Sequence, residues 1–279
     1  MIDLHVHSTA SDGACAPADV VARAAAAGLT VIALTDHDTL AGIEEAAAVG
    51  ETRGVRVIAG CEFSVRAGWG EMHLLAYFLP ADDAPVTGFL EDQRDKRRTR
   101  ASRMVAELGR LGLELTFDEV LTEAGQGAVG RPHVARALVR RGHVDDVTAA
   151  FRKYIGWRRP AFVPKDLPSV EAVTALVRQV GGVTSAAHLG DRATRRSLAR
   201  LRRQGVDAIE VRHPLHNPLR ATQIEQLAAA TGMLCSGGTD WHGEPAGEPN
   251  RAPLGSIVVP QAWLEGIEAL HHQRLDRGV

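Results

Sequence analysis

Short apolar segments alternate with amphipathic segments along most of the chain, and this alternation restricts the possible folds more than any other feature. Residues 2–6 (IDLHV) predict a strand, and residues 17–28 predict a helix that begins near Pro17 and ends at Gly28. Residues 30–36 (TVIALTD) predict the next strand. A strand, a helix and a second strand in this order form the repeating unit of parallel sheets. We therefore expect an α/β fold.

The same unit recurs toward both ends of the chain. The further predicted strands are residues 55–64, 72–79, 182–188, 206–212 and 233–240. The further predicted helices of these units are residues 39–54, 169–180, 192–204, 217–231 and 260–272. Repeated units of this kind predict a parallel sheet, and about seven of them favour a closed or nearly closed barrel.

The alternation stops between Pro80 and Pro164. Helical patterns are found there at residues 101–115, 117–125 and 132–142, and no strand is predicted. A helical insert on one barrel loop explains this break most economically. We predict a barrel formed by residues 1–80 and 165–279, and a helical insert, or cap, domain formed by residues 81–164.

Composition narrows the class of protein. With 45% hydrophobic residues and a formal net charge of −2, the chain has the composition of an ordinary globular protein, so any contact with nucleic acid must be local. Its three cysteines, Cys15, Cys61 and Cys235, are odd in number and far apart, which favours a reducing compartment and excludes CxxC metal pairs. No signal peptide or run of 18 apolar residues is found. We expect a cytoplasmic protein that contacts no membrane.

Polar side chains with metal-binding chemistry recur at the predicted strand ends. They are His5, His7, Asp36, His37, Asp38, Glu62, His73, His188, Asp240 and His242. Barrel strands present their carboxyl ends to one face, so these residues are expected to converge there. A single histidine at a strand end is more often a structural residue than a ligand, but the recurrence predicts a metal site. Imidazoles mixed with carboxylates suit several divalent metals.

The order of these motifs resembles that of a known family. The chain is similar over essentially its whole length to the PHP (polymerase and histidinol phosphatase) superfamily of metal-dependent phosphoesterases. The motifs that carry the resemblance are, in chain order, HxH followed by Asp12, then TDHD, GCEFS, MHLLAY, AAHLG and GGTDWHG. The chain resembles in particular the bacterial branch with a helical insert that acts on nucleoside 3′,5′-bisphosphates and short RNA 5′ ends. The resemblance implies a distorted (β/α)7 barrel with a trinuclear centre.

The resemblance also implies a set of ligands. One ion would be held by His5, His7, Glu62 and Asp240; a second would share Glu62 and add His73 and His188; a third would be held by Asp12, His37 and His242. Three divalent ions are implied, with Mn²⁺ favoured and Zn²⁺, Fe²⁺ or Mg²⁺ as alternatives. A metal-bridging hydroxide in the first cluster would attack a phosphomonoester, such as the 3′-phosphate of a nucleoside 3′,5′-bisphosphate.

Substrate contacts are predicted from the insert. Arg131 and His133 correspond to an Arg and a His that similar enzymes place over the site, although Arg131 could simply precede a helix that begins at Pro132. Arg159 lies among aromatic residues in the stretch 154–164, which suits either base stacking with phosphate contact or a packed hinge.

Two further basic stretches are interpreted as solvated helix faces. They are residues 94–103, for which an RNA-tracking surface is the alternative, and residues 192–203. His213 and His216 follow a predicted strand end and are expected to support the ligands or contact the substrate. Trp241, where phenylalanine is commoner in the family, is expected to narrow or cover the pocket.

Other functions stay open at this point. They are a phosphatase or cyclic phosphodiesterase for another small organic phosphate, and a non-catalytic module that binds metal or nucleotide. An amidohydrolase also shares HxH, but its bridging lysine has no counterpart at these strand ends. The expected partners are a small phosphorylated substrate, in particular a nucleotide, and short single-stranded RNA, and no obligate protein partner is evident.

Overall fold

Seven strands form one sheet in chain order in the computed structural model, which describes residues 1–125, 127–243 and 252–278. They are β1 (Ile2–Val6), β2 (Val31–Leu34), β3 (Arg56–Ala67), β4 (Gly70–Tyr77), β5 (Val183–Ala186), β6 (Ala208–Arg212) and β7 (Leu234–Gly237). The segment after β7 returns to β1, where the backbone N–H of His7 donates to the carbonyl of Trp241 at 2.8 Å. The sheet is therefore a nearly closed barrel, and the predicted α/β barrel is confirmed.

Helices surround the barrel and fill the segment between β4 and β5. They are α1 (Pro17–Ala26), α2 (Ile43–Arg53), α3 (Ala84–Arg110), α4 (Phe117–Ala124), α5 (Arg131–Arg140), α6 (Val147–Ala150), α7 (Val170–Gln179), α8 (Arg195–Arg203), α9 (Pro218–Thr231) and α10 (Gln261–Asp276). Among the described residues, no helix combines the length and the apolarity needed to span a bilayer. A short π-helical turn, Phe151–Ile155, follows α6 directly.

The prediction of an all-parallel sheet is wrong at one strand. β4 is antiparallel to both β3 and β5, and Ser64 pairs with His73 across the β3–β4 hairpin. The physical reason is the connection, since residues 68 and 69 alone separate β3 from β4 and no crossover helix fits between them. As a result, the beginning of β4 lies at the rim where the parallel strands end. His73 therefore reaches the same rim from the opposite strand direction.

Two large apolar clusters divide the chain between the barrel and the insert. One packs the strands against the surrounding helices and includes Val86 and Leu90 of the first half of α3. The buried members of the other come from residues 101–161, with Met104 and Leu108 from the second half of α3. α3 thus belongs to both clusters. The separate cluster supports a helical insert, and the boundaries at 81 and 164 stay a prediction.

Candidate metal centre

The first group of ligand side chains lies where β1 ends. His5 and His7 are two residues apart, so both point to the same side of the strand, and both are fully buried. The Nε2 atoms of His5 and His7 lie 3.2 and 3.1 Å from Glu62 Oε2. Each Nε2 also lies 3.2 Å from Asp240 Oδ1. Two imidazoles and two carboxylates from three separate segments of the chain therefore face one point.

Glu62 connects this group to a second one. Its Oε1 atom lies 2.8 Å from His73 Nδ1 and 3.2 Å from His188 Nε2. Its Oε2 atom lies 3.3 Å from His37 Nδ1. Because its two oxygen atoms face different imidazoles, Glu62 is placed to bridge two cations.

A third group involves the loop after β1. Asp12 Oδ1 lies 3.4 Å from His242 Nε2 and 4.0 Å from His37 Nε2. Ligand atoms of these three residues and of His7 all lie within 4.8 Å of one another. The nine residues that the family resemblance implied as ligands therefore come together at one rim of the barrel.

Poorly satisfied ring nitrogens indicate that this cluster accepts cations. His7 Nδ1, His7 Nε2 and His37 Nδ1 are buried without a well-formed hydrogen bond to a described residue, and the last two have only the carboxylate oxygens named above nearby. Such atoms are costly inside a protein unless something else satisfies them. Burial alone would raise the pKa of Glu62, but the imidazoles of His73, His37 and His5 hold that pKa well below its usual value. The buried carboxylate is thus charged and suits a divalent cation.

Backbone strain is concentrated at the same rim. Asp38, His188 and Asp240 have φ angles of 50°, 31° and 51°, in the left-handed region that residues with a Cβ seldom adopt. Each such residue costs on the order of 1–3 kcal/mol and persists where the surrounding structure fixes it, most often at functional sites. The barrel holds its ligand loops in place against this cost.

A cavity of about 200 Å³ opens beside the ligands and is covered by the insert. Asp12, His37 and His73 line its barrel side. The positively charged side chains that line it are Arg97 and Arg100 of α3, Arg131 at the start of α5, and Lys165 in the return to the barrel. The cavity therefore places cationic groups opposite a metal-binding wall.

The comparisons with known proteins agree with this geometry. The PHP domain model matches residues 3–116. The 3′,5′-nucleoside bisphosphate phosphatase of Chromobacterium violaceum is 34% identical over 86% of this chain and 87% of its own length. The chain belongs to the PHP family.

Two further relatives support the same assignment. The 5′-3′ exoribonuclease Rnm of Escherichia coli is 30% identical to this PHP chain over 94% of the chain and 93% of the relative. A solved structure from Bifidobacterium adolescentis, assigned as a metal-dependent phosphoesterase, superimposes with a TM-score of 0.86 at 31% identity and covers 96% of both chains. The predictions of a PHP barrel, of divalent metal binding and of a phosphate-ester hydrolase are confirmed.

Glu210 is a buried residue of the PHP site that the sequence interpretation missed. It lies in β6, where its Oε1 atom is 2.9 Å from His5 Nδ1 and its Oε2 atom accepts a 2.7 Å hydrogen bond from the backbone N–H of His188. One carboxylate thus orients an imidazole and a ligand loop. An acidic residue inside the otherwise apolar stretch AIEV was the available signal.

The two acidic neighbours of His37 serve other purposes. Asp36 accepts hydrogen bonds from the backbone N–H and hydroxyl of Ser8 and from the hydroxyl of Ser11, at 2.6–2.8 Å, and so orders the loop that carries Asp12. Asp38 Oδ2 accepts a 2.6 Å hydrogen bond from Arg97 Nε. The same oxygen lies 2.6 Å from Arg97 Nη2. Neither carboxylate belongs to the three ligand groups.

The histidines after β6 lie beside the proposed ligands. His213 Nε2 lies 3.5 Å from Asp240 Oδ2. His216 accepts a 3.1 Å hydrogen bond from the backbone N–H of Gly190 through Nε2, next to the His188 loop. His216 therefore steadies that loop.

The first basic stretch, residues 94–103, differs from its interpretation as a solvated helix face. Arg97 and Arg100 are mostly buried and line the cavity, whereas Arg94 is exposed. Both arginines continue the buried stripe of α3 that includes Leu90 and Met104, at helical spacing. This spacing was the signal that could have identified them. The second stretch, residues 192–203, does expose its arginines as expected.

Arg131 is the one predicted substrate residue that the structure places in the cavity wall. His133 is 1% exposed, and its Nδ1 accepts a 2.8 Å hydrogen bond from the backbone N–H of Gly130 at the start of α5. Burial lowers the pKa of His133 to about 4. The Arg159 side chain is exposed and does not line this cavity. The backbone N–H of Arg159 donates to the carbonyl of Gly156 in a turn.

The expectation that Trp241 narrows the pocket is wrong. Its side chain is 2% exposed and packs in the barrel core. The pairing of Trp241 with Val6 at the closure of the barrel turns the indole inward. Trp241 therefore stabilises the closure and leaves the cavity mouth to the insert.

Proposed function

We propose that this PHP chain hydrolyses the 3′-phosphate of nucleoside 3′,5′-bisphosphates and also acts on short RNAs with a 5′-phosphate. The observation that carries the proposal is the cavity, in which Arg100, Arg131 and Lys165 lie across from His37 and His73. A bisphosphate has two separate anionic groups, and the two walls offer two separate kinds of anion site. The similarity to relatives named for these two activities supports the same substrate class.

We further propose three divalent ions, with Mn²⁺ as the physiological metal. Their ligands would be His5, His7, Glu62 and Asp240 for the first, Glu62, His73 and His188 for the second, and Asp12, His37 and His242 for the third. Mixed imidazole and carboxylate ligands support Mn²⁺ or a related metal. When bound, such ions polarise phosphate oxygens and supply a nucleophile from water at neutral pH.

The cationic wall would bind and orient the substrate. Arg131 offers a planar guanidinium, which binds phosphate oxygens in pairs. Burial and the neighbouring Arg97 lower the pKa of Lys165 to about 8, so its ammonium group keeps its proton at neutral pH. Its Nζ donates to Ser64 Oγ at 2.9 Å, which ties this cation to the barrel. The proposed role of His133 is to hold the start of α5, and thereby Arg131, in place.

The cellular setting stays a prediction. We propose that the enzyme acts in the cytoplasm on a small nucleotide. The cysteines Cys15, Cys61 and Cys235 are all unpaired, which supports a reducing environment.

Phosphate release tests the proposed function. The chain is loaded with Mn²⁺ and offered adenosine 3′,5′-bisphosphate, mononucleotides, 5′-phosphorylated RNAs, sugar phosphates and a cyclic phosphodiester. We expect the highest kcat/KM for the bisphosphate. His37→Ala should lower it by at least about a hundredfold, because it removes a proposed ligand and not merely an outer partner. His272→Ala, at an exposed histidine, is the matched control.

The other outcomes identify the alternatives. Preferred turnover of a sugar phosphate or of the cyclic diester would replace the proposed substrate and keep the hydrolase. A fully loaded protein that releases no phosphate from any of these compounds would instead be a binding module.

A further inference from the structure

An exposed tryptophan stands out on the segment that returns from the insert to the barrel. Trp157 is 69% exposed, and it is the one aromatic residue among the large apolar side chains that are exposed in the described part of the chain. A single exposed apolar side chain is common on protein surfaces, so its neighbours decide whether it marks an interaction site. The indole lies outside the cavity that holds the proposed catalytic groups.

A continuous series of rings and guanidinium groups joins this tryptophan to the cavity. Arg131 and Phe151 line the cavity, and Arg131 Cζ lies 5.3 Å from the ring centre of Phe151 and 5.9 Å from that of Phe162. The ring of Phe162 lies edge-on to that of Trp157, with 5.1 Å between centres. Arg158 Cζ lies 5.9 Å from the Trp157 ring centre. Each step is shorter than the reach of a cation–π or aromatic contact.

The same segment has a strong positive charge. Residues 151–162 contain Arg152, Lys153, Arg158 and Arg159 and no acidic residue. All four of these basic side chains are exposed. The chain as a whole has a formal net charge of −2, so this concentration is local. Exposed cations beside stacking rings are the combination that binds single-stranded nucleic acid.

Hydrogen bonds fix the backbone that presents Trp157. The backbone N–H of Gly156 donates to the Phe151 carbonyl at 2.9 Å, and that of Ala161 donates to the Tyr154 carbonyl at 2.9 Å. Arg158 has a φ angle of 59°, which turns the chain sharply next to the indole. The ring is thus held outward before any ligand binds, which reduces the entropy lost on binding.

We propose that Phe162, Trp157 and the neighbouring arginines form a track for single-stranded RNA whose 5′ end lies in the cavity. The track rests on the proposed function, since it extends that site from a single nucleotide to a strand of RNA. Bases would stack on Trp157 and Phe162, and phosphates would contact Arg158 and Arg159. Stacking on an aromatic face accepts every base, so the track reads no sequence.

Substrate length provides the test. The kcat/KM of Trp157→Ala is compared with that of the unmodified chain on adenosine 3′,5′-bisphosphate and on 5′-phosphorylated RNAs from dinucleotide to octanucleotide. We expect a loss of about tenfold on the longer RNAs, within the range for one stacked base, and a change of less than about twofold on the bisphosphate. Trp157→Phe should restore kcat/KM on RNA. Leu275→Ala, at an exposed residue of α10, should leave kcat/KM unchanged on both substrates. Equal effects of Trp157→Ala on both substrates would overturn the track.

A binding measurement separates the track from the catalytic proposal. Fluorescence anisotropy of a labelled 5′-phosphorylated octanucleotide is followed in EDTA, where no hydrolysis competes. Trp157→Ala should weaken binding about tenfold, and Arg158→Gln with Arg159→Gln should lower the magnitude of the salt slope of log K by about 1.4 for the two phosphate contacts. Unchanged RNA affinity in both variants refutes the track even in an active enzyme. If the native chain releases no phosphate but binding falls as expected, the proposed function fails and the track stands.

Discussion

Glu62 lies between the three groups of ligand side chains, and Glu210 lies directly behind them. The first contacts imidazoles through both carboxylate oxygens, while the second orients His5 and the backbone of His188. Both are buried inside strands. At the scale of single residues, the centre therefore depends on two carboxylates that have different roles.

Replacement of Glu210 tests its supporting role. Glu210→Gln keeps the size of the side chain but leaves only one oxygen to accept from two donors, His5 Nδ1 and His188 N. Loss of such an outer partner typically lowers metal affinity by about 10- to 100-fold. Titration calorimetry with Mn²⁺ measures this change. Glu225→Gln, at an exposed residue of α9, is the control, and equal affinities in the two variants would contradict the role of Glu210.

Most of the proposed ligands were predictable because their chemistry recurs at strand ends, whereas Asp12 was assigned through the family resemblance. Supporting residues such as Glu210 were not, because one acidic residue in an apolar strand does not reveal which donors surround it. Arg97 and Lys165 were missed for a related reason: their contacts, to Asp38 and Ser64, join segments that are far apart in sequence.

Two elements, α3 and the start of α5, connect the insert to the metal-binding rim. α3 has 27 residues, so it is about 40 Å long and extends from the barrel cluster into the insert cluster. Along this helix, the Arg97 guanidinium contacts Asp38 of the barrel at 2.6 Å. α5 begins beside the cavity and is capped by His133. The positions of these elements determine the shape of the cavity wall that the insert supplies.

Loss of the Arg97–Asp38 pair should destabilise the protein. Both side chains are largely buried, with 10% and 5% exposure, so Arg97→Met leaves an unpaired buried carboxylate. Breaking such a pair costs about 3–5 kcal/mol in the free energy of unfolding. Urea unfolding of Arg97→Met should show this loss, and exposed Arg94→Met should not. The double change Arg97→Met with Asp38→Asn should recover most of the stability, and no recovery would show that the loss arises from packing alone.

Acid should weaken the start of α5 through His133. Its folded-state pKa is about 4, against an ordinary value of 6.5, so between these values the unfolded chain binds a proton that the folded chain does not. Stability is therefore full above about pH 6.5 and falls as the pH decreases toward 4, by about 2 kcal/mol between pH 7 and pH 5.

Unfolding free energies at these two pH values give the measurement. His133→Gln removes the titrating group and keeps an acceptor at the third position of the helix for the Gly130 N–H. The variant should lose about 2 kcal/mol less than the unmodified chain on acidification. An identical loss in both proteins would place the acid sensitivity elsewhere.

Element types were predicted better than strand direction. The helices and strands of the barrel follow from hydrophobic periodicity, and the structure confirms each of them within a few residues. The direction of β4 was predicted wrongly. The cue that could have shown it is the connection between residues 64 and 72, which is too short for a crossover helix. The first half of α3 was not singled out, because its many charged residues obscure the buried stripe.

At the scale of the whole molecule, the barrel gathers the proposed ligands from segments along nearly the entire sequence. His5 Nε2 and Asp240 Oδ1 are 3.2 Å apart although 235 positions separate them. Such convergence was predictable from the fold class alone, since parallel barrels place strand ends at one rim. The packing of the insert over the cavity was not predictable, because helical periodicity does not show how an insert packs on its barrel.

Metal should stabilise the folded chain as a unit. A ligand that binds only the folded state contributes about 4 kcal/mol when its free concentration exceeds its dissociation constant a thousandfold. We expect a higher thermal unfolding midpoint in Mn²⁺ than in EDTA. Glu62→Gln should show a much smaller difference between the two conditions. The same midpoint with and without Mn²⁺ in the unmodified chain would contradict a metal centre that spans the barrel.

The pairing of His5 with Asp240 also has a consequence for synthesis. A ribosome makes His5 almost at once and Asp240 only after all seven strands, so a nascent chain holds an incomplete set of the proposed donors for most of translation. The proposed first ion, whose ligands include Asp240, can therefore be bound completely only when synthesis of the barrel is nearly finished. A chain that ends before Asp240 would lack one donor of that proposed site.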